Sequence, residues 1–350
     1  MSTEKAIPEV DADEFHRTFR EVHDEINKVV VGQARAVEHL LTALYAGGHI
    51  LLTGMPGLGR TLLVKTLAEV MGLEYRRLQF TPDLLPTDII GAEVLEGNNS
   101  GGERKFRFFK GPVFANMVLA DEINRSPSRT QSALLELMQE RQITVGGQTH
   151  FLPKPFVLVA TQNTLDSEGV WPLGEAQADR FMMCIEQYYP DAEAEDMMLA
   201  LTTGIGKKPV KQRTTPQMVI AMQKLAREVP VVPSVKEFAL QLVRASRPGD
   251  ANEVKDATRD IRLGASPRAA QALIMGAKVL ALARGRKHVS KDDVIEIAGP
   301  VMAHRMILDF KAQAQGRDQK HVLNVLLNSM KARAVPKVSF WTMQFLKKPS

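Results

Sequence analysis

The chain has 350 residues, 44% of them hydrophobic and 24% charged, with a net charge of +5 and a pI near 9.2. That length suits two domains with a substantial core, and the balance excludes a disordered or fibrous chain. No run reaches the roughly 18 apolar residues of a membrane span, and the polar start carries no signal-peptide stretch, so a cytoplasmic protein is expected.

Residues 1–24 are acidic and predict a short lead-in helix with a loose tip. Over 25–189, apolar runs at 49–53, 75–80, 117–120, 156–160 and 181–185 alternate with helical patterns, the signature of an α/β parallel sheet. The first run feeds Gly54-Met55-Pro56-Gly57-Leu58-Gly59-Arg60-Thr61, followed by Leu62 and a helical pattern over 61–70. This octapeptide matches G-x-x-x-x-G-K-[ST], with arginine in place of lysine. Its glycines let successive N–H groups cradle phosphate oxygens, and the helix directs its positive end at the same place. A nucleoside triphosphate, ATP with magnesium, is the implied ligand. Arg60 keeps the charge, yet its planar fork is not a compact ammonium. Binding is therefore expected to survive the substitution better than turnover.

Two hairpins are expected next. One alternates over 92–96 and 105–109 around a Gly- and Asn-rich tip at 97–102, and the other over 141–145 and 148–151 around Gly146-Gly147. Between them Met117-Val118-Leu119-Ala120 delivers Asp121 and Glu122 at a strand end, where open α/β sheets bind ligands. Asp121 is placed to hold magnesium and Glu122 to polarise an attacking water. The run 156–160 ends in Thr161-Gln162-Asn163, and Asn163 is the candidate to orient that water. Cys184 excludes an intramolecular disulfide, fits a reducing compartment, and reads as part of a buried strand rather than a reactive thiol.

After Pro190 the pattern turns helical to about residue 335, punctuated by Pro209, Pro216, Pro230, Pro233 and Pro267, and predicts an all-α domain of four to six helices. Residues 336–350 form a tail whose Phe340, Trp341 and Phe345 are expected to dock on the chain's own core. The eight histidines stand at no metal-ligand spacing. The basic clusters at Lys207-Lys208, Lys211 and Arg213, and at Lys347-Lys348, are small enough to be solvated faces rather than a nucleic-acid groove.

Taken in order, Val31-Gly32-Gln33, GMPGLGRT, LADEINR, ATQN, LGEAQADRF and GASPRA resemble the MoxR family of AAA+ ATPases over nearly all of residues 25–310. The resemblance implies a P-loop NTPase core at 25–189 with hairpin insertions, an all-α lid at 190–335, and a ring, usually a hexamer, with ATP at subunit interfaces. It implies that Gly32 and Gln33 border the adenine and that Thr61 is the magnesium-side hydroxyl. Asp121 and Glu122 take Walker-B roles, and Asn163 matches sensor 1. Arg180 matches the finger that acts on a neighbouring subunit, and Arg268 the sensor-2 arginine of the lid. It also implies a chaperone-like role towards client proteins, often ones bearing von Willebrand factor A domains. Both hairpins then face a pore or a client. Two alternatives remain open at this level: a nucleotide-gated scaffold that hardly hydrolyses ATP because of Arg60, and a DNA-linked AAA+ motor.

Overall fold

Helix α1 (Ala12–Asn27) begins at Asp11, whose carboxylate accepts the Glu14 amide at 2.8 Å, and carries Asp13 and Glu14 in its first turn, where they favour the helix dipole. Phe15, Phe19, Val22 and Ile26 recur at helical spacing and are almost wholly buried. Phe15 and Phe19 pack on Tyr45 of α2 (Ala34–Tyr45), with ring centroids 5.3 and 5.9 Å away. The boundary expected at residue 24 therefore falls inside a helix that is part of the core. The apolar stripe, not the acidic composition, decides where this segment goes. The computed structural model describes residues 7–96, 105–163, 169–203 and 209–334.

The chain continues through β1 (Ile50–Gly54), α3 (Arg60–Met71), β2 (Tyr75–Gln79), the short α4 (Pro86–Ile90), β3 (Gly91–Glu96), β4 (Lys105–Lys110) and β5 (Met117–Asp121). Then come α5 (Ser128–Glu140), β6 (Gln142–Val145), β7 (Gln148–Phe151), β8 (Val157–Thr161), the four-residue α6 (Glu175–Ala178) and β9 (Met183–Gln187). Strands β2, β5, β8, β1 and β9 lie in that order in one parallel sheet. Continuous apolar runs are what a sheet covered on both faces requires. Ile50, Leu52, Met117, Leu119, Val157 and Val159 pack on one face with Leu41 and Leu63. Leu51, Val118, Ala120, Leu158 and Ala160 pack on the other with Leu134 and Met138. Because the strands are parallel, Gly54, Gln79, Asp121, Thr161 and Gln187 all end at one edge, and ligands bind at such an edge.

Both expected hairpins form, β3 with β4 and β6 with β7. Gly146 and Gly147 supply the left-handed pair a two-residue turn requires, with φ of +56° and +77°. The hairpins touch where the Phe108 ring stacks on His150 at 4.4 Å. The first hairpin's tip at 97–102 lies outside the described residues, as do Lys207-Lys208 and the tail at 336–350.

Beyond Pro190, where a lid is expected, the chain forms α7 (Ala192–Thr203), α8 (Pro216–Glu228), α9 (Pro233–Ala245), the short α10 (Lys255–Thr258), α11 (Pro267–Ala283), α12 (Lys291–Met302), the short α13 (Phe310–Ala314) and α14 (Gln319–Ala334). Pro216, Pro233 and Pro267 each open a helix, where a missing N–H leaves no bond unmade. The lid also holds a small antiparallel pair, β10 (Ile261–Leu263) with β11 (Ile307–Leu308), so it is not purely helical. Three and two residues are too few to show alternation in the sequence. Helix α1 rests on α2, α3 and α11 and so ties the core to the lid. Among the described residues, no helix is long and apolar enough to cross a membrane.

Glu25 of α1 reinforces that tie. It is almost wholly buried and accepts from Lys28 at 2.8 Å, from Arg213 at 2.6 and 3.0 Å, and from the Lys211 amide at 3.1 Å. The bonds from Lys28, Arg213 and the Lys211 amide outweigh burial and hold its carboxyl at about 2 instead of 4.5. A depressed carboxyl stabilises the fold above its unfolded-state value, and that contribution is lost as the pH falls through the folded one. The melting-temperature gap between the natural chain and Glu25→Gln is expected to be widest above about pH 4.5 and to close towards pH 2. A gap that ignores pH over that window would rule out an ionised, bonded Glu25.

Candidate nucleotide site

Strand β1 ends at Gly54, whose φ of +126° suits glycine, and a Cβ there would meet the Gln187 carbonyl oxygen at 2.3 Å. The loop then enters α3 at Arg60 with Gly59 in the left-handed region. No side chain caps α3, which leaves its first N–H groups to an anion. A cavity of about 230 Å³ opens here. Pro56, Gly57, Leu58, Gly59, Arg60 and Thr61 line it, with Asp121 and Glu122 from the end of β5 and Thr161 and Asn163 from the end of β8. Gly54, Met55 and Leu62 do not line it: the Gly54 and Met55 carbonyls are turned to Arg60, and Leu62 is exposed on α3.

A second cavity of about 580 Å³ lies between the β9 edge and the lid, with Gly32, Gln33 and Tyr188 on the core side and Glu296 and Leu327 on the lid side. Gln33 Nε2 donates to the Leu58 carbonyl at 2.8 Å, and its Oε1 accepts from Gln187 Nε2. One hydrogen-bonded chain thus joins this cavity to the phosphate loop. Cys184 lies half-buried on the cavity wall rather than deep in the core. Burial pushes its thiol up to about 11, so it is protonated and weakly nucleophilic at neutral pH.

Arg60 lines the cavity and is also held by four acceptors of its own chain. Its Nε donates to Gln187 Oε1 at 3.2 Å, and its terminal nitrogens donate to the carbonyls of Gln162 at 3.2 Å, Met55 at 3.1 Å and Gly54. Burial lowers its pKa from the ordinary value against the opposing charges of Asp121 and Glu122, and an arginine so placed stays charged. The guanidinium rivets the ends of β1, β8 and β9 together, a task a lysine's single nitrogen could not share out in this way.

The acid pair is held just as closely. Thr161 donates its hydroxyl to Asp121 Oδ1 at 2.7 Å and accepts the Glu122 amide at 2.7 Å. Asp121 Oδ2 accepts from Arg77 Nε at 2.9 Å, from an Arg77 terminal nitrogen at 2.6 Å and from Thr61 Oγ at 3.4 Å. Glu122 sits in the left-handed region, φ 58°, uncommon for a residue with a Cβ and concentrated at functional sites. Its Oε2 accepts from Gln79 at 2.9 Å and lies 3.2 Å from Arg125 Nε. Asn163 is fixed through its main chain, which bonds both ways with the Asn124 side chain at 3.0 and 3.3 Å. Thr61 and Asp121 present hard oxygen donors side by side, the kind that suits magnesium.

Arg180 and Arg268 stand apart from this cavity. Arg180 donates to the Leu135 carbonyl at 3.0 Å, and Arg268 pairs with Asp179 at 3.1 Å. Asp179 also accepts from Ser266 at 2.7 Å and from the buried Arg305 at 2.9 Å, so Arg268 and Arg305 share one carboxylate at the core–lid junction, while Arg180 points to Leu135.

The sequence matches the ATPase family associated with various cellular activities (AAA) over residues 49–183 and the AAA lid domain over residues 254–324. Chaperone MoxR1 of Mycobacterium tuberculosis is 40% identical over 328 residues, covering 94% of this chain and 85% of that one. The chain belongs to the MoxR family of AAA+ ATPases. Protein MoxR of Paracoccus denitrificans is 31% identical, with coverage of 84% and 90%. The crystal structure of a candidate ATPase from Cytophaga hutchinsonii superposes with a TM-score of 0.81 at 40% identity, covering 91% of this chain and 95% of that one. This MoxR-family core and lid also contain side chains, bonded to the candidate residues or to the core–lid junction, that the motifs alone did not reveal: Arg77, Gln79, Thr161, Gln187 and Arg305. Of these, only Thr161 had a visible signal, as the polar residue that ends a buried apolar strand.

Proposed function

We propose that this chain binds magnesium-ATP, hydrolyses it slowly, assembles into a ring, and uses the cycle as a chaperone-like remodeller of partner proteins. The observation that carries the reading is one 230 Å³ cavity onto which the phosphate loop, Asp121, Glu122 and Asn163 all open, hydrogen-bonded to a larger cavity bordered by Gly32 and Gln33. In this reading Thr61 and Asp121 hold the magnesium, which supplies charge neutralisation to the phosphates. Glu122 takes the proton of the attacking water, and Asn163 orients it. Arg180 serves the site of a neighbouring subunit, in keeping with its absence from the lining of its own chain's cavity, and Arg268 takes the sensor-2 role from the lid. A hexamer, a cytoplasmic location and clients with von Willebrand factor A domains follow from the family likeness, and the name of the M. tuberculosis relative supports the chaperone role.

A second reading, a nucleotide-gated scaffold, draws support from Arg60, whose guanidinium is already spent on three carbonyls and Gln187. Steady-state phosphate release, measured beside the solution mass with and without ATP, separates the two. The expected result is ATP-dependent assembly with slow turnover, raised in Arg60→Lys. Assembly without phosphate release in either chain favours the scaffold, and equal turnover in both removes any impairment by Arg60.

A further inference from the structure

Arg77 lies on β2, the outer strand of the sheet, two residues before the strand ends. Pairing of β2 with β5 sets Gln79 opposite Asp121, and the Arg77 side chain reaches along that edge to the carboxylate. Two of its N–H groups converge on one oxygen, Oδ2, at 2.9 and 2.6 Å, and Thr61 Oγ approaches the same atom at 3.4 Å. A carboxylate oxygen offers two lone-pair directions, so three donors saturate it. Oδ1 is turned the other way, to Thr161 at the end of β8, whose own oxygen is fixed by the Glu122 amide. Oδ2 is therefore the atom on the side of Thr61, and Arg77 already occupies it.

We infer that Arg77 is a resident counter-cation of Asp121, which gives up Oδ2 when magnesium arrives with nucleotide and thereby sets how much magnesium binding requires. This rests on the proposed assignment of Asp121 to the metal. Two cations cannot share a saturated oxygen, and a ligand that must displace a resident partner shows its intrinsic affinity reduced by the fraction of sites that are free. The pair is built for exchange. Arg77 is 47% exposed, so solvent screens the bond and receives the guanidinium when it leaves. Gln79 Oε1, 2.6 Å from an Arg77 nitrogen, offers it a holding point nearby. Arg305, with 2% exposure and a carboxylate of its own, has no such exit.

The test uses the full chain and magnesium chloride as the probe, read by binding of a fluorescent ATP analogue and by melting temperature in magnesium without nucleotide. In Arg77→Gln, the magnesium concentration for half-maximal analogue binding is expected to fall about tenfold, equivalent to about 1.4 kcal/mol. Magnesium alone is expected to raise its melting temperature more than that of the natural chain. Arg77→Lys keeps a cation and is expected to retain most of the natural requirement. A midpoint in Arg77→Gln at or above the natural one overturns the inference, as does an equal fall in the lysine variant. Failure of the underlying site assignment looks different: the natural chain then binds no analogue at any magnesium concentration.

Discussion

Replacing Glu122 with glutamine is expected to cut ATP turnover about a hundredfold to ten-thousandfold, the range a general base contributes, while nucleotide binding persists. Glutamine has the same shape and the same tolerance for the left-handed backbone at φ 58°, so the substitution adds no strain. The Thr161 hydroxyl bonds the residue-122 amide, not its side chain, and the Asp121–Thr161 link therefore stays intact. An amide oxygen can still accept from Gln79. What disappears is the capacity to take a proton from water. Phosphate release compared with analogue binding separates the two effects, and a variant turning over within about tenfold of the natural chain would remove Glu122 from the role of base.

The same variant interrogates Arg180. Arg180→Ala should hydrolyse poorly, since in the proposed ring it serves a neighbour's site. Mixed with Glu122→Gln chains, it should recover part of the lost turnover: an intact Glu122 on one subunit then meets an intact Arg180 from the next. Turnover that stays flat across mixing ratios would argue against a shared site.

The sheet was legible because its strands are unbroken apolar runs: 49–53 became Ile50–Gly54, and 156–160 became Val157–Thr161. The phosphate loop and acid pair were legible because their chemistry requires fixed spacing along the chain. Arg77 and Gln79 were not. Polar residues alternating on an edge strand look solvated until β2 is laid against β5, and nothing local says which carboxylates they meet. Helix α1 shows a different loss. Its Phe15, Phe19, Val22 and Ile26 stripe was readable, but only the fold reveals that α2, α3 and α11 cover it. Arg305 is the extreme case. Ala303-His304-Arg305 reads as a turn, while all the residues it binds except Val301 lie more than 120 positions earlier.

Arg305→Met is accordingly expected to lower unfolding stability by about 3–5 kcal/mol, the cost of breaking a buried ion pair by removing one partner. All five guanidinium N–H groups are engaged: to Asp179 Oδ1 at 2.9 Å, and to the carbonyls of Met182 at 3.0 Å, Asp179 at 3.1 Å, Phe181 at 2.5 Å and Val301. Burial works to raise the Asp179 carboxyl, yet Ser266, Arg305 and Arg268 together hold it below the ordinary carboxylate range. Without the guanidinium, that carboxylate keeps only Ser266 and Arg268, and four carbonyls lose a donor inside the core–lid junction. Arg305→Lys offers three donors instead of five and should fall between the two chains. If the pair is the cause, an Asp179→Ala, Arg305→Met double variant should lose much less than the sum of the single losses. Urea unfolding decides it, and a loss below about 1 kcal/mol in Arg305→Met would show the junction holds without it. The turn gripped by Arg305 carries Arg180, and Asp179 anchors Arg268, so turnover should drop in Arg305→Lys even where the chain is folded and still binds nucleotide.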